Sequence, residues 1–152
     1  MISIRPVKVD DYTVICAHRR LMFAEMGTDE AMLDVASQSY AIWLKPRLED
    51  GRYFGFFAED EGATIAGVGL WLMDYPPGPR HPASDQRGLV LDVYVQPGYR
   101  GRGIAAELMG CAENALRERG VAYGVLQASA AGRPLYEKLG WSATAEMSKA
   151  LG

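Results

Sequence analysis

The sequence predicts an α/β domain built around one mixed sheet, its elements ordered βααβββαβαβ. Three observations carry this. Strand and helix periodicities alternate along the chain, and three β-rich runs follow one another in its middle. A glycine turn then joins the third run to a long amphipathic helical pattern. The 152 residues suit a single domain, 1–152, with one core.

The alternation of "ISIRPV" predicts a first strand, after which Asp10 or Asp11 can cap a helix. That helix reaches about Glu25, places Ile15, Met22 and Met26 on one face, and stops at Gly27. A second helix, from about Asp29 to Leu48, aligns Leu33, Tyr40, Leu44 and Leu48, and Pro46 should kink it or end it early. "RYFGFFAED" and "TIAGVGLWLMDY" are strands joined by "EDEG". The proline-rich "YPPGPRHPASDQRG" is a loop, and "GLVLDVYV" is a strand. In that strand, strict alternation puts Leu89, Leu91, Val93 and Val95 on one face and Val90, Asp92 and Tyr94 on the other. A helix follows to Arg119, with Gly120 as its C-cap. A strand at "YGVLQAS", a short helix at "PLYEKLG" and a last strand at "SATAEMSKAL" complete the chain.

Composition narrows the function. A net charge of -3 argues against a general nucleic-acid binder, which would carry a basic surface. No uncharged apolar stretch reaches the roughly 18 residues of a membrane span, and the N-terminus lacks a signal-like apolar run. Cys16 and Cys111 are far apart and read as free buried thiols, so a reducing, cytoplasmic compartment is expected. His18 and His81 are isolated, and Cys16 diverges from His18 on a helix, so no metal site is expected. A G-x-S-x-G elbow and a cysteine nucleophile are likewise missing.

The informative stretch is "VQPGYRGRGIAAELMG". Glycine turns that open helices present free backbone N–H groups, a ready anion site. A P-loop is excluded, because Gly103 is followed by Ile104-Ala105 rather than lysine and a hydroxyl residue. Gly101, Gly103 and Ala106 match the letters of a dinucleotide fingerprint, but "QPGY" and Arg100 separate the glycines from the strand. The next strand ends "LQAS", without the acidic residue that would hold a ribose. Arg100-x-x-Gly103-x-Ala105 instead satisfies Q/R-x-x-G-x-G/A, between a hydrophobic strand and a long helix. Further on stands "ASAAGRPLYEKLGW".

With these two signatures in this order, the chain resembles the GNAT superfamily of N-acetyltransferases over nearly its whole length. The resemblance implies a mixed, mostly antiparallel sheet of about six to seven strands flanked by about four helices. It implies acetyl-CoA as cosubstrate, with no metal, and an amine that attacks the thioester directly in a ternary complex. The amides of Gly101, Arg102, Gly103, Ile104, Ala105 and Ala106 would cradle the pyrophosphate, with charge from Arg100 and Arg102. The backbone of Val93, Tyr94 and Val95 would hold the pantetheine arm, Val93 being the expected donor to the carbonyl. Tyr136 matches the family's tyrosine, which protonates the departing thiolate; the simpler role is an aromatic anchor beside Leu135 and Leu139. Ser129 stands where many members carry asparagine, a shorter-reaching contact to the coenzyme.

A lysine-like amine has a pKa of ~10.4, so about one molecule in 10³ is neutral at pH 7 and a proton acceptor is needed. Asp92 is the first candidate, since aspartate is disfavoured within a strand; ordering a loop or pairing with Arg87 or Arg100 are its other readings. Glu25, at the end of the first helix, is the reserve, and Glu25 and Met26 are the expected acceptor contacts. The acceptor site should lie around Met22–Ala31 and the proline-rich loop, where Asp29, Glu30, Asp74 and Asp85 add a mildly acidic set. A reading of another class is a coenzyme-binding module without turnover, an acyl-CoA sensor or an inactive paralogue. Thiol release that requires an added amine separates the two. The exposed edge of the terminal strand suits a homodimer.

Overall fold

A computed structural model describes residues 1–152. Five strands form one sheet in the order β1-β2-β3-β4-β5, with β1 Ile2–Pro6, β2 Tyr53–Asp60, β3 Ala63–Asp74, β4 Gln86–Val95 and β5 Gly124–Leu126. Each pair is antiparallel except β4 with β5, which is parallel. The helices are α1 Tyr12–Glu25, α2 Glu30–Glu49, α3 Ile104–Glu118 and α4 Arg133–Lys138.

α3 packs on one sheet face, where its Leu108, Met109 and Ala112 are fully buried against Ile65, Val68, Leu70 and Val90. The spacing of its apolar residues places them on the single stripe that a helix on a sheet must bury. On the other face, α1 and α2 bury Ile15, Leu44 and Leu48 against Tyr53 and Phe57. Truncating any one of these buried leucines to alanine costs about 2–5 kcal/mol, so both layers contribute to the stability of the fold.

Four sequence expectations are corrected. The sheet has five strands rather than six or seven, because residues 142–152 form no ladder and are exposed throughout. α2 runs through Pro46 to Glu49. Proline removes one N–H only, and the last turn is held by buried Leu48 and by Arg47 Nη1, which donates to the Trp43 carbonyl at 2.8 Å. Asp11 stands at the N-cap of α1 but gives the helix no side-chain bond: its carboxylate accepts from Lys8 N and from both terminal nitrogens of Arg5. The proline-rich loop is shorter than expected, since Gln86–Gly88 already belong to β4.

The fourth strand also departs from strict alternation. Leu91 pairs with Gly69 and Tyr94 with Gly67, so Asp92 and Val93 together oppose Val68 in a β-bulge, with Asp92 at φ +56°. The extra residue turns the pleat over. Val90, Val93 and Val95 therefore pack toward α3, whereas Leu91, Asp92 and Tyr94 face α1 and α2.

Candidate functional site

The bulge is also where the sheet parts. β4 and β5 pair only from Gly88 with Gly124 to Val90 with Leu126. Beyond that point the β5-facing edge of β4 has no strand partner. Gln96 donates its N–H to Ile65 on the β3 side, so alternation turns Val95 the other way, into the opening. Its carbonyl there accepts from Arg100 Nε at 2.8 Å.

At the end of β4 the chain makes a short 3₁₀ turn, Pro97–Tyr99, then passes Gly101 at φ +77° and Gly103 at φ +79° into α3. Gly103 is the N-cap residue, and no side chain caps the helix. The first helical bond is made by Glu107 N to the Gly103 carbonyl, so the amides of Ile104, Ala105 and Ala106 are free donors. A β-carbon at Gly101 or Gly103 would meet nothing within 4 Å, so both glycines serve backbone conformation and an open approach. This is a concave set of N–H groups at a positive helix end, a fit for the phosphates of a nucleotide-bearing ligand.

The two arginines beside the turn differ from expectation. Arg100 Nη2 grips both oxygens of Glu25, at 2.9 and 2.8 Å, and its guanidinium lies 5.6 Å from the Tyr94 ring centre. Tyr94 O–H donates to the same Glu25 at 3.3 Å, which ties the end of α1 to β4 and the glycine turn. Arg102 lies over Tyr99 and donates to the Gly98 carbonyl at 3.1 Å. Met26 caps α1 with its side chain half exposed next to Glu25.

Asp92 is 5% exposed, and both its oxygens are engaged. Arg19 Nη1 donates to Oδ1 at 2.7 Å; Tyr53 O–H donates to Oδ2 at 2.7 Å, and Tyr40 O–H donates to the same atom. The partners are Arg19, Tyr40 and Tyr53, not Arg87 or Arg100. Burial first, and the Asp92 charge second, push the Tyr40 and Tyr53 phenols far up, so both stay protonated donors. Gly69 makes this network possible, because a β-carbon there would sit 2.0 Å from the Tyr53 oxygen. Arg19 also stacks 4.1 Å from the Tyr40 ring centre. Beside it, burial lowers the pKa of His18, whose ring lies 5.0 Å from that of Tyr94.

Arg19, Tyr40, Tyr53 and Gly69 were missed by sequence reasoning. Only Tyr40, whose hydroxyl lies on the buried stripe of α2, carried a signal. Arg19 and Tyr40 also line a cavity of about 510 Å³ between α1 and α2, together with Phe23, Met32 and Trp43.

Arg87 takes a structural place instead. It is sandwiched between the rings of Tyr75 and Tyr123, at 3.4 and 4.9 Å, and donates from Nε to His81 Nε2. Asp29 is spent as the cap of α2, accepting from Met32 N at 2.9 Å.

Tyr136 lies on α4, packed against the α3 layer, and its hydroxyl has no hydrogen-bond partner. Burial raises its pKa above the usual tyrosine value. Ser129 Oγ accepts from Gly132 N at 3.1 Å, closing the turn before α4 and leaving its own proton free to donate. Among all residues, no group of three or more His, Cys, Asp or Glu side chains is arranged to hold a metal ion, and no helix is long and apolar enough to cross a membrane.

Comparison with known proteins follows the same lines. The family model "Acetyltransferase (GNAT) family" matches residues 17–141. No curated protein matches the chain. Among solved structures, a GCN5-related N-acetyltransferase from Ralstonia eutropha JMP134 is 46% identical with a TM-score of 0.97, each chain covered to 99%. A predicted acetyltransferase with acetyl-CoA from Clostridium acetobutylicum is 24% identical with a TM-score of 0.91, over 99% of this chain and 96% of that one. A ribosomal-protein-alanine N-acetyltransferase from Brucella melitensis biovar Abortus 2308 shares the fold at 24% identity and a TM-score of 0.64, over 99% and 97% of the two chains. With the motif strand, the glycine turn and the tyrosine helix in their expected places, the chain belongs to the GNAT family of acetyltransferases.

Proposed function

We propose that the protein is an acetyl-CoA-dependent N-acetyltransferase that moves the acetyl group to a primary amine by direct attack in a ternary complex. One observation carries the reading: an uncapped helix N-terminus, entered through two positive-φ glycines, adjoins a strand edge left open beyond Val90. Acetyl-CoA supplies the activated acyl group; the chain binds, orients and manages protons.

The amides of residues 101–106 and the charge of Arg102 hold the pyrophosphate. Arg100, already bound to Glu25 and to the Val95 carbonyl, fixes the turn against α1. The open edge of β4 at Val93, Tyr94 and Val95 hydrogen-bonds the pantetheine arm, and the Val93 N–H polarises the thioester carbonyl. Ser129 donates its remaining proton to the coenzyme. Tyr136 gives its proton to the departing thiolate, a role that its unbonded hydroxyl leaves it free to play.

The saturated carboxylate of Asp92 positions Arg19, Tyr40 and Tyr53 rather than accepting the amine proton. Glu25 is bonded to Arg100 and Tyr94, but its side chain is 41% exposed, so lone pairs on its solvent side stay open and it takes that role through water. The protein works as one domain, 1–152, in the cytoplasm, a placement supported by two unpaired cysteines.

The test is a screen of primary amines for thiol release from acetyl-CoA. Release that rises with one amine class, and is absent without amine, is the expected result. Tight acetyl-CoA binding with no amine-dependent release would leave a binding module.

A further inference from the structure

Arg19 is held more firmly than an arginine of the open surface. Its guanidinium lies between two rings, 5.0 Å from the centre of Phe23 and 4.1 Å from that of Tyr40. The buried Asp92 carboxylate pins its Nη1 at 2.7 Å. A guanidinium has five N–H donors, and the bond to Asp92 uses one of them. Nε and Nη2 make no hydrogen bond, and neither is sealed from solvent. These two nitrogens form one edge of the fork, the geometry that holds a carboxylate through two parallel bonds.

Arg19 lines the cavity of about 510 Å³ between α1 and α2, a volume that suits a small molecule. Phe23, Met32, Leu33 and Trp43 give that cavity apolar walls. No carboxylate lines it, although sequence reasoning expected a mildly acidic acceptor site. Asp29 is spent as the cap of α2, and Glu25 is bonded to Arg100. The cavity therefore suits an apolar group attached to an anion, and offers a polycation no counter-charge. Asp92, across the same guanidinium, disfavours a dianion such as a phosphate and leaves room for a single negative charge.

We infer that the acceptor is an α-amino acid with an apolar side chain, its carboxylate on the Nε–Nη2 edge of Arg19 and its side chain in the cavity. The inference rests on the acyl-transfer reading and narrows it. Asp92 immediately precedes Val93, whose N–H that reading places on the thioester carbonyl. A carboxylate held on Arg19 thus brings the neighbouring amine to the bulge. The guanidinium leans over Phe23, one helical turn closer to Glu25, which turns the amine toward the carboxylate that takes its proton through water. The nitrogen bonds the acetyl carbon and the carbon–sulfur bond breaks. The amine proton goes to Glu25 and the thiolate takes its proton from Tyr136, giving an N-acetyl amino acid and coenzyme A.

The test compares L-phenylalanine, L-leucine and L-methionine with their carboxamides and with spermidine. Thiol release from acetyl-CoA reads turnover, and calorimetric titration into the protein saturated with coenzyme A reads binding without it. Hydrogen bonds to a charged group are worth roughly 10- to 100-fold, the preference expected in both measurements for at least one amino acid over its amide. Arg19→Lys keeps a charge beside Asp92 and loses the fork. It should raise the KM of the amino acid by the same factor and leave that of the amide unchanged, whereas a merely structural role would move both. Should this variant fail to fold, the wild-type comparison decides. Turnover that favours the amides or spermidine, or does not distinguish them from the amino acids, overturns the inference and leaves acyl transfer standing. Carboxylate-dependent binding without thiol release upholds the ligand class and removes the transferase reading. Neither binding nor release with any of the amino acids overturns the inference.

Discussion

Asp92 and Tyr136 are the two polar groups that sequence reasoning marked for catalysis, and the structure treats them oppositely. The carboxylate is buried at a positive-φ bulge, with an arginine and two phenols filling its oxygens. The hydroxyl of Tyr136 is partly buried and bonded to nothing. A polar group whose hydrogen-bonding capacity is filled internally is committed to structure, because using it for chemistry means breaking several bonds first. One whose capacity is unfilled, beside an open groove, keeps a proton available. Under the proposed function, the difference separates a residue that builds the site from one that works in it.

Removing the builder should have the largest effect. Asp92→Ala leaves Arg19, Tyr40 and Tyr53 without their common acceptor, a loss of about 3–5 kcal/mol for a broken buried pair. That corresponds to a fall in the melting midpoint of roughly 6–20 °C. Asp92→Asn, which tolerates positive φ and keeps one acceptor, should fall less. A loss under about 1 kcal/mol for alanine, measured by urea melts, would show that the network does not hold the bulge.

Removing the worker should do the reverse. Tyr136→Phe should lower turnover about 10²-fold or more while stability stays within about 0.5 kcal/mol, since no hydrogen bond is lost. Because burial raises the phenol's pKa, the wild-type rate should also show no tyrosine-linked fall below about pH 10. Equal turnover in the two proteins removes Tyr136 as the acid.

A smaller effect is expected at Gly103. Alanine there meets no atoms, so its cost is the left-handed backbone alone, about 1–2 kcal/mol. Weaker acetyl-CoA binding should accompany it in calorimetric titration, while tight binding unchanged from wild type would detach the turn's shape from its ligand.

The smallest effect concerns pH. His18 has a lowered pKa in the folded state, so the unfolded chain binds more protons as pH drops through about 6.5. Stability should therefore decline on acidification through that range, and His18→Gln should flatten the decline in melts from pH 8 to 5. A wild-type midpoint that rises over that range would contradict the assigned neutral, buried ring.

Much of this was legible because it is local. The helices around Ile15 and Leu44, the β-rich run "GLVLDVYV" and the turn "GYRGRG" each declare themselves within a few residues, through period, propensity or glycine. The bulge at Asp92 was not, since an extra residue is defined only by its partner Val68 across β3 and β4. Nothing in "LVLDVYV" says that its pleat inverts. The partners of Asp92 come from 73, 52 and 39 positions away, so no spacing rule reaches them. Glu25 and Arg100 were both singled out, but for separate duties; that they bind each other is a fact of packing. The tail, residues 142–152, reads as a strand and lies unpaired, because alternation proposes a strand while only an available edge completes one.

The measurement that bears most directly on the account is the thermal melting midpoint with acetyl-CoA, free coenzyme A and NAD added in turn. A ligand at about 100 times its dissociation constant adds ~2.7 kcal/mol, a rise of several degrees. The account predicts that rise with acetyl-CoA and coenzyme A, and none with NAD. A rise with NAD alone, or with none of the three, would contradict it.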